Sequence, residues 1–557
     1  MRRGRKKFPK PKLWLKSHLK MSFRNGVTTM KIYVRIEFWM LVVVVSMLWL
    51  RTALVPAPSG GDEVWWSESG YWLAHEGALR WDCMADDKGS GVQSFWPPIA
   101  AIIQGGLIWV FGLSSFSISA QSSIVATAIL ISVLALCMRL GMQKSYCLVT
   151  ACAILGLMTV DRRIVQVRME NLTALFTLLV AYAMVSGKQA QKPTERVRWF
   201  LLMGFFLSVG GLCYYPQSPF LVLGACLMLS GGTAQTLRSR LSLVLLGAAP
   251  ITLWAGIWIV RGWGAFESQV LNAGAESYVH EGAIMNLFRG AGQIGNSAQF
   301  AISWERIVVF TGLVIMTFRF GLRSSAGKLA ILGFATSLPM FFIADQPQVN
   351  SSILFVVLLG YLASSSALLK TQSGINSQSG IELGDGSSIS DSTAGRIKWR
   401  QKLVPSTLWT LALLGVAKCI LYGITAVYQI DGRSYDSVAQ ELKRLVPAES
   451  MAAVSQRAWL GLRDSLGRSK LHFMTYSGSS VSNRSVVLKN QEAANLFDCV
   501  VIENDKAHIL ITLYPWLREV LQQERGWQFV GSIKPIWKPL PWAAVSCYEL
   551  TVYRRLK

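Results

Sequence analysis

The sequence predicts a polytopic α-helical membrane protein with about eleven spanning helices, an interfacial helix and a C-terminal soluble α/β domain. Three observations predict it. Of 557 residues, 52% are hydrophobic and 15% charged, whereas soluble domains carry about 25% charged residues. The apolar residues fall in blocks of about 17–25, the length that crosses a hydrocarbon core. Basic residues are distributed unevenly between alternate loops, as the positive-inside rule requires of membrane proteins.

At the N-terminus, the first 36 residues contain twelve Lys and Arg and no acidic residue. Placed just before the apolar run Phe38–Leu50, they read as a cytoplasmic tail (1–36) beside anionic headgroups. The tail accounts for much of the net charge of +24. No base-reading module accompanies that charge, so nucleic acid is not an expected partner. The basic region is also too long for a cleaved signal peptide.

The spans are predicted at 38–55, 118–138, 145–160, 171–187, 199–214, 217–232, 241–260, 306–322, 326–344, 351–369 and 403–428, within a transmembrane domain of 37–430. The stretch Pro97–Phe111 is short and opens with Pro97-Pro98. If it lies along the interface, the cytoplasmic loops hold sixteen Lys and Arg and the opposite loops seven. A crossing would invert that bias, so the segment is predicted not to cross. The same reasoning puts 431–557 outside the cytoplasm and the Ser/Gly-rich linker 371–400 inside it.

Residues 431–557 change character. A helix-like Tyr435–Leu445 precedes strand-like runs at Met451–Ser455, Leu471–Tyr476, Cys499–Ile502, Trp527–Ile533 and Val545–Tyr553, with a helix-like Tyr514–Gln523 among them. The nine cysteines show no CxxC or Cys/His metal spacing. Cys499 and Cys547 both fall in this domain, and pairing between them stays open. No internal repeat of the kind found in many transporters is present.

The first outer loop, 56–117, is where chemistry becomes legible. Its stretch 56–96 holds seven acidic residues against Arg80 and Lys88. Interleaved Trp65, Trp66, Tyr71, Trp72, Trp81 and Trp96 favour the membrane–water interface. Asp62 and Glu63 follow the first span directly, where a carboxylate can act on a water-borne hydroxyl while a second substrate stays in lipid. Acidic outer loops are also common without any catalytic role. Arg162, Arg163 and Arg168 run against the positive-inside trend on the same side, which fits an anionic group such as phosphate. Contacts with lipid headgroups would explain them too. Glu170 could be a second acidic group or a charge complementing a helix dipole.

In order, the chain shows a first span, Asp62-Glu63, Trp72, Gly77 with Trp81, Pro97-Pro98, Phe111-Gly112-Leu113-Ser114 and Arg168-Met169-Glu170. This order resembles the GT-C superfamily of membrane glycosyltransferases, in the branch of the protein O-mannosyltransferases and the lipid A aminoarabinose transferase. It covers about residues 35–235; beyond that, the likeness is architectural. The resemblance implies Asp62 as catalytic base with Glu63 beside it, Glu170 as the second-loop acidic residue and Arg168 as a phosphate contact. Family members often carry a basic residue before Pro-Pro. Here it is Trp96, which moves the phosphate contacts to Lys88, Arg80, Arg162 or Arg163.

The implied reaction moves a sugar from a polyprenyl-phosphate donor to an acceptor hydroxyl of a glycan, lipid or protein outside the cytoplasm, with inversion. The phosphate leaving group calls for positive charge and the hydroxyl for a base. A divalent metal between Asp62 and Glu170 is compatible with this chemistry but has no ligand spacing to support it. His280, Glu281 and Arg289, in loop 261–305, form a candidate lid or acceptor contact. The resemblance implies a plasma membrane or bacterial inner membrane. The competing readings are a transporter or flippase of lipid-linked saccharide, for which the mid-span charge Lys418 is the main support, and a non-enzymatic envelope scaffold. The charge bias makes a direct prediction: reporters fused after residue 385 should score as cytoplasmic and those after residue 480 as exported, and a cytoplasmic signal at 480 would overturn the topology.

Overall fold

In the computed structural model the described residues are 23–54, 61–81, 92–93, 98–157, 160, 168–230, 233–267, 297–321, 323–341, 349–378, 391–428, 435–467, 470–474, 491–504, 507–534 and 549–556. The membrane region is built from helices α1 (Phe23–Leu54), α2 (Gly61–Glu76), α3 (Pro98–Phe111), α4 (Ser115–Arg139), α5 (Lys144–Ala153), α6 (Met169–Gln189) and α7 (Pro193–Gly211). It continues through α8 (Ser218–Leu229), α9 (Ala234–Arg261), α10 (Ser297–Phe320), α11 (Ser325–Ser337), α12 (Val349–Gln378) and α13 (Asp391–Tyr428).

Every predicted span falls on one of these helices, but the helices are not equivalent. Seven are long and apolar enough to cross a membrane, in α1, α4, α6, α9, α10, α12 and α13. The α5 helix with its 3-10 extension to Gly156, and α8 with the preceding turn from Tyr215, are shorter apolar helices. Twelve residues of α8 rise only about 18 Å, less than the roughly 30 Å hydrocarbon core. Of the eleven segments predicted to span, seven are thus long apolar helices among the described residues, interleaved with shorter ones. The chain remains a multi-pass membrane protein.

Glycines bring several helices into backbone contact. A Cβ at Gly204 would collide with the Val244 carbonyl, and one at Gly247 with the Leu201 carbonyl, which locks α7 against α9. Gly156 and Gly415 do the same between the α5 extension and α13. Close approach through small residues is the usual means of helix association where lipid offers no hydrophobic drive. At one end of α8, the buried Lys328 ammonium of α11 donates to the carbonyls of Met228 and Ser230. It thereby satisfies acceptors that a helix C-terminus leaves open.

In the first outer loop, β1 (Arg80–Trp81) and β2 (Val92–Gln93) pair antiparallel. Beyond α13, α14 (Tyr435–Leu445) matches the predicted helix, and a five-stranded sheet follows. Its strands are β3 (Ala452–Ser455), β4 (Leu471–Met474), β5 (Cys499–Glu503), β6 (Trp527–Ile533) and β7 (Leu550–Arg555), in the order β4-β3-β5-β7-β6. The β3 strand runs parallel to β4 and β5, whereas β7 runs antiparallel to β5 and β6. Side chains alternate with period two. Ala452, Val454, Cys499, Val501, Leu550 and Val552 join the core shared with α14 and the membrane helices. Ala453, Val500, Ile502 and Tyr553 face a second core around Trp516 and Trp527.

One local prediction is corrected. The helix expected at Tyr514–Gln523 is shorter, Leu517–Leu521, with a further short helix, Ala507–Leu513, before it, and the chain turns at Gln523 with φ 55. Of the strand expected at Val545–Tyr553, the part from Leu550 is observed; residues 545–548, Cys547 among them, lie outside the described set. The backbone contact between α7 and α9 makes a testable demand: Gly204→Val should cost about 1–3 kcal/mol through overpacking and lower the melting temperature in detergent. Gly256→Ala, where nothing lies within 4 Å of the new Cβ, should not lower it.

Candidate functional site

The α2 helix begins at Gly61, so Asp62 and Glu63 stand in its first turn. Their side chains lie outside the described set, as do Lys88, Arg162, Arg163, His280, Glu281 and Arg289.

What fixes α2 is well defined. On one side, Gly70 meets α3: a Cβ there would come within 2.8 Å of the Gly105 nitrogen and 3.0 Å of the Gln104 Cβ. The Gln104 side chain turns inward, its amide donating to the Ser117 carbonyl at 3.0 Å. At the far end of α3, Trp109, Val110 and Phe111 are exposed, as an interfacial helix requires. Gly112 then turns the chain with φ +72, and Ser114 caps α4 through a reciprocal box with Ser117. The Phe111-Gly112-Leu113-Ser114 motif is thus a helix-to-helix turn that needs glycine for its left-handed residue.

On its other side, α2 presents Glu68 to the C-terminal region. Glu68 is fully buried, and Arg463 with it. One carboxylate oxygen, Oε1, accepts from Trp72 Nε1 at 2.7 Å and from Arg463 Nη1 at 3.1 Å; the other, Oε2, accepts from Trp459 Nε1. Arg463 also donates to the carbonyls of Leu466 and Gly467 and lies 4.9 Å from the centre of the Trp72 ring. Arg80 approaches the same indole at 4.7 Å and pairs with Glu76 at 2.6 Å. Burial, joined by the neighbouring Asp464 carboxylate, pushes the Tyr71 hydroxyl up to about 12. It therefore stays neutral beside the Asp464 carboxylate.

The second-loop residues sit at the start of α6, the most enclosed of the long apolar helices. Arg168 is its N-cap in extended conformation and is half-buried. Glu170 is buried in the first turn. Among the described residues its Oε2 has no hydrogen-bond partner, a costly condition for a buried carboxylate that serves only structure. Near other helix starts, buried Asn350 donates to buried Gln217 at 2.8 Å. Asn171 and Asn350, both in Asn-X-Ser/Thr sequons, are buried and so closed to glycosylation in the folded chain.

The mid-span Lys418 ammonium donates to the Gly156 carbonyl at 3.2 Å, so this charge is employed in holding α13 to the α5 extension. Among the described residues no group of three or more His, Cys, Asp or Glu could hold a metal ion, and no step is routed through one.

Sequence reasoning drew attention to Asp62, Glu63, Arg168 and Glu170 but passed over Glu68, Trp459 and Arg463. A signal was present: Glu68/Trp72 and Trp459/Arg463 are both charged–indole pairs at i, i+4, the spacing that puts two side chains on one helical face.

Comparison with known proteins fits this geometry. Residues 96–258 match the family of dolichyl-phosphate-mannose-protein mannosyltransferases. Among curated proteins no sequence matches. Among solved structures, ArnT from Cupriavidus metallidurans in the apo state aligns with a TM-score of 0.55 at 13% identity, covering 95% of this chain and 98% of that one. ArnT from the same organism bound to undecaprenyl phosphate aligns with a TM-score of 0.56 at 13% identity and the same coverage. By its matched segment and its fold, the chain resembles the GT-C membrane glycosyltransferases, in the branch of the protein O-mannosyltransferases and ArnT.

Proposed function

We propose that the chain is a glycosyltransferase that moves a sugar from a polyprenyl-phosphate donor to an acceptor hydroxyl on the extracytoplasmic face of the membrane. The observation that carries this reading is the alignment of nearly the whole chain with ArnT, which binds undecaprenyl phosphate. The first-turn position of Asp62 and Glu63 on a helix held from both sides agrees with it.

In this mechanism the donor keeps its tail in the bilayer and its sugar at the mouth of α6. Asp62 takes the proton of the acceptor hydroxyl. The oxygen attacks the anomeric carbon as the bond to the phosphate oxygen breaks, and the anomeric centre inverts. Arg168 at the α6 cap offers charge to the departing phosphate, as do Arg162, Arg163 and Lys88 where their loops bring them near. Arg80 is engaged by Glu76 and Trp72. Glu63 supports the base from the same helical turn, and Glu170 supplies the second carboxylate. His280, Glu281 and Arg289 would meet the acceptor from their loop. In this reading the N-terminal tail is cytoplasmic and residues 431–557 are exported.

The base assignment has a sharp consequence. Asp62→Asn keeps the size of the side chain but cannot accept the proton, so transfer should fall by about 10²–10⁴ with binding of undecaprenyl phosphate retained. Arg168→Ala should weaken that binding as well, because it removes a charge facing the phosphate. Purified variants assayed for sugar transfer and lipid-phosphate binding decide the matter. Near-normal transfer by Asp62→Asn would remove it as base, and near-normal transfer by both Asp62→Asn and Glu63→Gln would remove the mechanism.

A further inference from the structure

We propose that Trp459 and Arg463 are positioning residues: by taking the buried Glu68 carboxylate, they orient the helix whose first turn carries Asp62 and Glu63. This rests on the reading of those two carboxylates as the reacting groups.

The argument begins from the helix itself. Glu68 and Gly70 are two residues apart, so at 100° per residue they point to nearly opposite faces of α2. Gly70 fixes one face by backbone contact with Gly105 of α3. Glu68 fixes the other through three donors, two of which come from residues almost four hundred positions later in the chain. Trp72 belongs to α2 and moves with it, so a turn of α2 by a single residue would carry the carboxylate off both distant donors at once. It would also leave two buried charges unpaired, since Glu68 and Arg463 are both sealed from water. The helix therefore has one rotation and one height compatible with its surroundings.

The partner side is equally fixed. Trp459 and Arg463 lie on the short helix reached from the carboxyl end of β3 through the turn Gln456–Ala458. In open α/β sheets that edge of parallel strands is where ligands bind. Here a segment of the same chain occupies it: Glu68 presents its carboxylate as a bound acid would. The C-terminal region thus holds the first outer loop at a set angle. Releasing the grip would let α2 pivot at Gly70 and swing its first turn. Because misplacement of a reacting group by about 1 Å can cost 10²-fold in rate, the loss should appear in kcat more than in donor binding.

The test uses the full-length protein in lipid nanodiscs, with amide hydrogen exchange across residues 61–76 as the readout and undecaprenyl phosphate as the binding probe. Arg463→Met leaves Glu68 buried without its cation and should raise exchange in α2 by about tenfold or more. The double variant Glu68→Gln/Arg463→Met should recover part of the protection, because no charge is then stranded. Exchange in α4 and α6 should not change, and undecaprenyl phosphate binding should stay within about threefold of the starting protein. If Arg463→Met does not fold, Trp459→Phe replaces it; that variant keeps an aromatic ring, loses the N–H donor, and should raise α2 exchange alone. Unchanged α2 exchange in the folded variant, with faster exchange in the β3–β7 sheet instead, would overturn the proposal and leave Arg463 a stabiliser of its own domain. Failure of the starting protein to bind undecaprenyl phosphate would overturn the transferase reading, while the exchange data would still decide the grip on α2.

Discussion

A carboxylate stripped of water must be paired, and the Glu68 carboxylate is paired across two regions of the chain that share no local sequence. Removing one member of such a buried pair costs about 3–5 kcal/mol, a large share of the 5–15 kcal/mol by which typical domains are stable. The membrane helices pack by glycine contacts and apolar burial without reference to it. The first outer loop does not. Its helix α2 has Ser67, Glu68 and Ser69 sealed from solvent, and a polar face of that kind cannot be buried unless something meets it. Arg463 and Trp459 meet it, and the two guanidinium groups beside Trp72 enclose the indole with the stem of the loop.

Much of the fold was legible because its signals are one-dimensional. Apolar blocks located the membrane helices other than α2, and the strand-like runs Trp527–Ile533 and Cys499–Ile502 located their strands nearly to the residue. The charge bias treated Pro97–Phe111 as a non-crossing segment, and a 14-residue helix with an exposed Trp109 agrees with that. Helix length was less legible. Composition does not say whether 12 apolar residues stand alone or rest inside a bundle, as α8 does. The candidate site divides in the same way. Asp62, Arg168 and Glu170 stand out because charge is unusual at a span end. Glu68 did not stand out, because an acidic residue in an acidic loop reads as solvated until a partner 395 residues away is seen to cover it.

Charge inside the helical region carries a related lesson. Lys418 is the mid-span charge that would support a translocated ligand, and Lys328 is a second lysine buried among the helices. Both instead donate to backbone carbonyls at helix ends, Lys418 to Gly156 and Lys328 to Met228 and Ser230. Broken helices leave acceptors unsatisfied, and a lysine from a neighbouring helix is one way to satisfy them away from water. Glu170 differs in kind. Its buried Oε2 has no such partner among the described residues, which keeps it a candidate for the proposed site.

The long separation between Glu68 and Arg463 bears on how the protein is made. At about 5–20 residues per second, the ribosome needs roughly 20–80 s after α2 emerges before Arg463 exists. Throughout that interval the α2 carboxylate has no cation to close upon, while α3 and α4 are already available to it. The nascent chain must therefore keep Glu68 hydrated, with the loop held open, until synthesis is nearly finished. Truncated products, which never acquire residues 459–463, would retain that open loop, and quality-control proteases could tell them from the completed chain by it.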